Sequence, residues 1–185
     1  MEQKSLSELK FEIQLQTKKG IDFIISAGTL WLAISLVWTL DYSSYNKSIL
    51  TFMVGAFLLP LALGFSKIMG TNWKVTNNQL QSLGLWLNFA QLIYFPFLIF
   101  ILIKYPDYFI MTYAIITGAH LFPYAWFYDE MGYAVCAITI SFGVLLMTFN
   151  MDQEQVWTIP LFTSAMFFLL GGWIGMRIMK IKLNT

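Results

Sequence analysis

Charge is what this chain has least of. Asp, Glu, Lys and Arg make up 11% of its 185 residues, against 58% hydrophobic residues, and a chain of this length cannot enclose so much apolar surface in one water-facing core. The bilayer must be its solvent, in keeping with a mean hydropathy of +0.65. The few cations lie between apolar runs, so no basic stripe exists to neutralise phosphates and no nucleic-acid partner is expected. Cysteine is down to Cys136. That excludes a disulfide within the chain and any thiolate metal cluster, and leaves Cys136 to read as a small buried hydrophobe. The single histidine, His120, excludes bis-His haem ligation and His-rich hydrolytic metal sites. A GxSxG elbow, a Walker loop and an HExxH helix are lacking too, so no metal, cofactor or catalytic residue is assigned. The first twenty residues hold seven charges and no continuous apolar core. No cleavable signal peptide is therefore expected, and membrane entry would use the first spanning helix.

What is present is six apolar stretches, at residues 21–40, 49–68, 83–103, 108–128, 132–149 and 156–176, each near the roughly 20 residues that a helix needs to cross the hydrocarbon layer. They are continuously apolar and too long for tilted barrel strands, so helices are expected. The expected fold is an all-α membrane protein: a bundle of six transmembrane helices over residues 21–176, with a cytoplasmic amphipathic segment at 1–20 and a basic cytoplasmic tail at 177–185. Within the first segment, Leu6, Leu9, Ile13 and Leu15 fall near one helical face. Short connections predict that sequence neighbours pack as antiparallel pairs, in one domain.

Orientation follows from counting cations. Lys4, Lys10, Lys18, Lys19, Lys67, Lys74, Arg177, Lys180 and Lys182 fall on one side, and only Lys47 and Lys104 on the other, so both termini are expected in the cytoplasm. Trp38 and Trp157 then sit at the outer interface and Trp86, Trp126 and Trp173 at the inner one, where amphipathic rings belong. Pro60, Pro96, Pro123 and Pro160 lie inside the second, third, fourth and sixth spans. Each removes a backbone donor, so four bent helices are expected.

The fourth span carries the candidate site. Tyr113, Thr117, His120 and Tyr124 recur at spacings of four, three and four, which stacks them on one helical face at membrane depth. An ionisable side chain there normally faces the bundle interior or a water-filled cavity, and imidazole exchanges its proton near neutral pH. A neutral His120 hydrogen-bonded to a neighbouring helix is the alternative. Asn88 and Gln91 in the third span are the expected amide partners, either as glue between helices or as ligand contacts. Asp22 reads as a carboxylate complementing a helix N-terminus, and Asp129 with Glu130 as a solvated turn. Gly171 and Gly175 have the small-xxx-small spacing that permits close helix approach, within the bundle or in a homo-oligomer.

The segments GLWLNFAQLIYFPFLIF (84–100) and YAIITGAHLFPYAWFYDE (113–130) resemble a family of small bacterial multi-pass integral membrane proteins of unknown function. The resemblance implies a multi-helix fold in the bacterial cytoplasmic membrane and transfers no catalytic residue. The leading expectation is a bundle that binds or passes a small solute or ion in a central polar and aromatic cavity around His120. A non-catalytic membrane scaffold or accessory subunit is the second expectation, and an intramembrane enzyme the third.

Overall fold

The computed structural model describes residues 4–183; the first three and last two residues of the expected end segments lie outside these. All regular structure among the described residues is helical. The first helix, α1 (Leu6–Gln16), begins at a capping box. Ser5 Oγ accepts the Glu8 N–H, and the Glu8 carboxylate accepts the Ser5 N–H at 2.7 Å, satisfying two donors that an open helix end would leave bare. Of its expected apolar face only Leu9 and Ile13, one turn apart, are buried; Leu6 and Leu15 point outward. The inward face is latched to the 70–80 loop rather than lying free. Asn78 Nδ2 donates to the Leu9 carbonyl at 2.8 Å, and the Asn72 N–H donates to the Gln16 carbonyl at 2.8 Å.

Lys18, Lys19 and Gly20 then take φ of 46°, 52° and 70°. Two consecutive lysines in the left-handed region are strained. Lys18 donates to the Met69 carbonyl and Lys19 pairs with Glu130, so tertiary bonds hold a turn that propensity alone would not.

The chain turns there into α2 (Ile21–Trp38), around which the rest is assembled. It is followed by α3 (Ser44–Gly55), α4 (Leu58–Met69), α5 (Gln81–Leu92), α6 (Phe95–Lys104), α7 (Phe109–His120), α8 (Phe122–Phe127), α9 (Gly132–Asn150) and α10 (Thr158–Leu183). Proline explains the paired short helices. Pro60, Pro96 and Pro123 cannot donate to the carbonyls of Ala56, Leu92 and Ala119, and regular helix is interrupted at 56–57, 93–94 and 121. Pro160 behaves differently from the expected bend. It sits in the first turn of α10, where no intrahelical donor is required, and α10 runs unbroken past Met176 to Leu183.

Five helical stretches are long and apolar enough to cross a membrane: Lys18–Trp38, Ser44–Met69, Gln81–Lys104, Gly132–Asn150 and Gln153–Ile181. The remaining apolar stretch, 108–128, is divided at Leu121 into the 12 residues of α7 and the 6 of α8. Neither piece alone reaches membrane length.

α10 lies along α2, and glycines make the approach possible. A Cβ on Gly171 would stand 2.6 Å from Ile25 Cδ1, one on Gly175 3.7 Å from Ile21 Cδ1, and one on Gly28 3.1 Å from the Phe168 ring. The Gly171 and Gly175 face is thus turned to α2 of the same chain. Two hydroxyls fasten the pair: Ser164 donates to the Gly28 carbonyl at 2.7 Å and Ser35 to the Trp157 carbonyl at 3.1 Å. α9 packs on α7 and α10, α4 on α2, and α6 on α3 and α7. Helix α5 is outermost, with no buried residue. Large side chains such as Ile68, Trp86, Ile93 and Phe149 cover the exterior, an apolar surface suited to lipid.

Candidate functional site

One side of α2 borders a cavity of about 140 Å³, lined also by residues of α3, α4, α5, α7 and α8, by Tyr133 of α9 and by Phe167 of α10. The six expected residues, Asn88, Gln91, Tyr113, Thr117, His120 and Tyr124, all line it. The 3.6-residue period brings the four from 113–124 to one side despite the break at Leu121, because the interruption costs no rotation large enough to separate His120 from Tyr124. Their rings meet edge to face at 5.4 Å.

The polar groups differ in how fully they are bonded. Tyr124 Oη donates to Asn88 Oδ1 at 2.9 Å, and Asn88 Nδ2 donates to the Gly84 carbonyl at 3.0 Å, which ties α8 to α5. Tyr113 is packed among aromatics, 5.2 Å from Trp31 and 5.9 Å from Phe109. Its hydroxyl would lie 3.1 Å from a Cβ on Gly55, so that glycine makes the space it occupies. Thr117 Oγ1 is buried and has no hydrogen-bond partner among the described residues. That is unusual for a helical threonine, whose hydroxyl commonly turns back to the carbonyl four residues earlier. Thr112, Thr148 and Thr163 in this protein do so. The His120 ring and the Gln91 amide likewise make no hydrogen bond among the described residues.

Two tyrosines of the site were not singled out from sequence. Tyr128 and Tyr133 also line the cavity, Tyr128 stacked on Tyr124 at 5.8 Å and Tyr133 tilted against it at 5.9 Å. Tyr133 Oη donates to the Lys19 carbonyl at 2.5 Å. Tyr128 ends the fourth apolar stretch four residues after Tyr124, so one more step of the same spacing reaches it; Tyr133 belongs to α9, which periodicity within one helix cannot reach.

Below the tyrosines lie two buried carboxylates, and here the solvated reading of the turn needs correction. Asp129 is exposed, at φ 47°, but Glu130 is only 4% exposed. It accepts from Lys19 Nζ at 2.9 Å and from Trp173 Nε1 at 2.8 Å, with Arg177 Nε at 4.0 Å. Burial on its own would raise the Glu130 carboxyl, but the hydrogen bonds from Lys19 and Trp173 and the charges of Lys19 and Arg177 hold it below the ordinary carboxylate value. Asp22, 1% exposed, does more than complement a helix end. It accepts from Thr71 Oγ1 and Trp73 Nε1, both at 2.6 Å, and so pins the 70–80 loop to α2. A tryptophan in an otherwise polar loop and a tryptophan one turn before Arg177 were the available signs that each carboxylate had a buried donor.

Among the described residues no group of three His, Cys, Asp or Glu side chains is placed to hold a metal ion. The fold and site define an all-helical integral membrane protein whose bundle encloses a polar and aromatic cavity. The chain belongs to the family of unknown function DUF7010, whose model matches residues 6–177 and so takes in α1, the cavity and Glu130. Comparison with curated proteins and with solved structures finds no match.

Proposed function

We propose that this protein binds a small uncharged solute in the cavity beside His120. The observation that carries the reading is a cavity lined by Thr117, whose buried hydroxyl has no partner among the described residues, and by His120 and Gln91, whose side chains make no hydrogen bond among them. Leaving a buried polar atom unpaired costs about 1–3 kcal/mol, and a ligand oxygen or nitrogen that reaches Thr117 and His120 removes that cost. Charge selects against ions. Among the described residues no Asp, Glu, Lys or Arg lines the space, and an ion at membrane depth without a counter-charge is expensive to bury. The volume, about 140 Å³, is of the order that holds a single-ring molecule.

The same proposal places the chain six times across the membrane, with α7 and α8 end to end as the fourth crossing. The termini and the lysine-bearing 70–80 loop are in the cytoplasm, and the membrane is a bacterial cytoplasmic membrane. The nine-to-two partition of cations supports the orientation. The shared cluster of Lys18, Lys19, the 70–80 loop, Glu130 and Arg177 supports one common side for these segments. Cysteines introduced at residues 42 and 180 in a Cys136→Ser background test it, since an impermeant maleimide should label only residue 42 in intact cells.

Binding is tested by thermal unfolding in phosphatidylcholine nanodiscs with phenol, benzyl alcohol, indole and cyclohexanol. At least one should raise the midpoint of the wild-type protein. Thr117→Val, which deletes one hydrogen bond worth about 1 kcal/mol, should weaken that ligand roughly fivefold, and His120→Phe should weaken it as much. Absence of any shift, or equal shifts in the variants, refutes the reading.

A further inference from the structure

The shape of the cavity and its one thin wall say more about the ligand than its volume does. Along α2 it is bordered by Phe23, Ala27, Leu30, Trp31 and Ile34, one helical face whose length from Phe23 to Ile34 is about 16 Å at 1.5 Å per residue. A space of about 140 Å³ drawn out over that length is slender. Its two ends differ chemically. Toward Trp38 the wall is Leu30, Trp31 and Ile34, with the Tyr113 ring 5.2 Å from Trp31. Toward Gly20, which would touch Tyr128 and Tyr133 through a Cβ, it carries Asn88, His120, Tyr124 and Tyr128.

The wall between α4 and α5 is incomplete. Leu58 of α4 and Asn88 and Gln91 of α5 border the cavity, but α4 packs on α2 and α5 on α7, with no extended contact between α4 and α5. Asn88 is exposed, and Ala27 and Leu30 of the central helix are only half-buried, as an opening at that seam requires. The seam lies within two stretches of membrane-spanning length, so it faces hydrocarbon rather than water.

Resting on the solute-binding reading above, we infer that the ligand is a single-chain amphiphile with an uncharged hydroxyl head, of the fatty-alcohol or prenol class, that enters from the bilayer between α4 and α5. The chain lies along Leu30, Trp31 and Ile34. The head meets the unpartnered Thr117 hydroxyl and His120 ring, with Gln91 at the seam. The head is taken as uncharged because, among the described residues, no Asp, Glu, Lys or Arg lines the polar end to offset a buried charge.

Photolabelling in phosphatidylcholine nanodiscs tests this, using an octanol that bears a diazirine on its chain, with adducts mapped by mass spectrometry. Saturable adducts are expected on α2 and α7 around Trp31 and Tyr113. Decanol should displace them, whereas decanoate and decylammonium at equal membrane concentration should not. Ala27→Trp, which fills the slot midway, should lower these adducts at least tenfold and leave adducts on outward residues such as Phe149 unchanged. Thr117→Leu should act in the same direction if Ala27→Trp fails to fold. Labelling confined to outward residues, or equal competition by the charged chains, overturns the inference. If phenol or cyclohexanol still shifts unfolding in a Thr117-dependent way while octanol adducts fail to saturate, the cavity remains a solute site and only the amphiphile is lost. Failure of both removes the solute site as well.

Discussion

Replacing Glu130 by alanine tests whether the inner end of the bundle is held by a buried ion pair. The substitution removes the acceptor of Lys19 Nζ at 2.9 Å and of Trp173 Nε1 at 2.8 Å, and strands a lysine whose side chain is only 6% exposed. Breaking a buried pair from one side costs about 3–5 kcal/mol, most of it the cost of the charge left behind. Arg177, half exposed and 4.0 Å from the carboxylate, shows that solvent approaches this end, which favours the lower figure of about 3 kcal/mol. Removing both charges, as Lys19→Met with Glu130→Leu, leaves no stranded ion and should cost only about 1 kcal/mol, mainly the orphaned Trp173 N–H. The coupling between the sites is then about 2 kcal/mol or more, within the range for directly interacting residues. Reversible unfolding in mixed micelles of Lys19→Met, Glu130→Leu and the two combined, with Glu130→Ala alongside, measures it as a closed double-mutant cycle. A loss under about 1 kcal/mol for Glu130→Ala, or a double variant as unstable as the sum of the singles, would refute the buried-pair account.

The same carboxylate sets an acid limit. Because the folded protein holds Glu130 below 4.5, its contribution is complete above the unfolded value and is lost as pH falls from there through the lower folded value; acid unfolding should lose this component in Glu130→Gln. Gly171→Ala, whose Cβ would fall 2.6 Å from Ile25 Cδ1, should destabilise by about 1–3 kcal/mol through overpacking. Gly172→Ala, with nothing within 4 Å, should be neutral or stabilising by up to about 1 kcal/mol, and thermal midpoints in nanodiscs separate the two. Asp22→Ala leaves the Thr71 hydroxyl and Trp73 indole without their acceptor. It should cost about 2–3 kcal/mol and speed hydrogen exchange in the 70–80 loop.

Elements governed by local pattern are legible in the sequence. The expected 21–40, 83–103 and 132–149 stretches correspond to Ile21–Trp38, Gln81–Lys104 and Gly132–Asn150, because continuous apolar runs are a property of the segment alone. The Tyr113, Thr117, His120 and Tyr124 stripe was legible for the same reason, being a spacing along one chain. Glu130 was misread because its partners, Lys19 and Trp173, are 111 and 43 residues away. Asp22 was underestimated for a like reason, its donors lying 49 and 51 residues on. Pairing across such distances is decided by how helices pack, which composition does not encode. Similarly, the apolar face of α1 was read as four residues wide, but the 70–80 loop covers only Leu9 and Ile13.

The prolines have a consequence for how this site responds to mutation. The carbonyls of Ala56, Leu92 and Ala119, each deprived of its usual donor by Pro60, Pro96 or Pro123, are next in sequence to Gly55, Gln91 and His120, all on the cavity wall. Three helical stretches are therefore interrupted beside the cavity, and none of the three prolines lines it. The path of these helices, and with it the separation of the walls, depends on residues that do not themselves line the cavity. Proline-to-alanine changes would therefore alter the dimensions of the site with every lining side chain still in place, whereas alanine substitutions of the wall enlarge it only where a side chain is cut back.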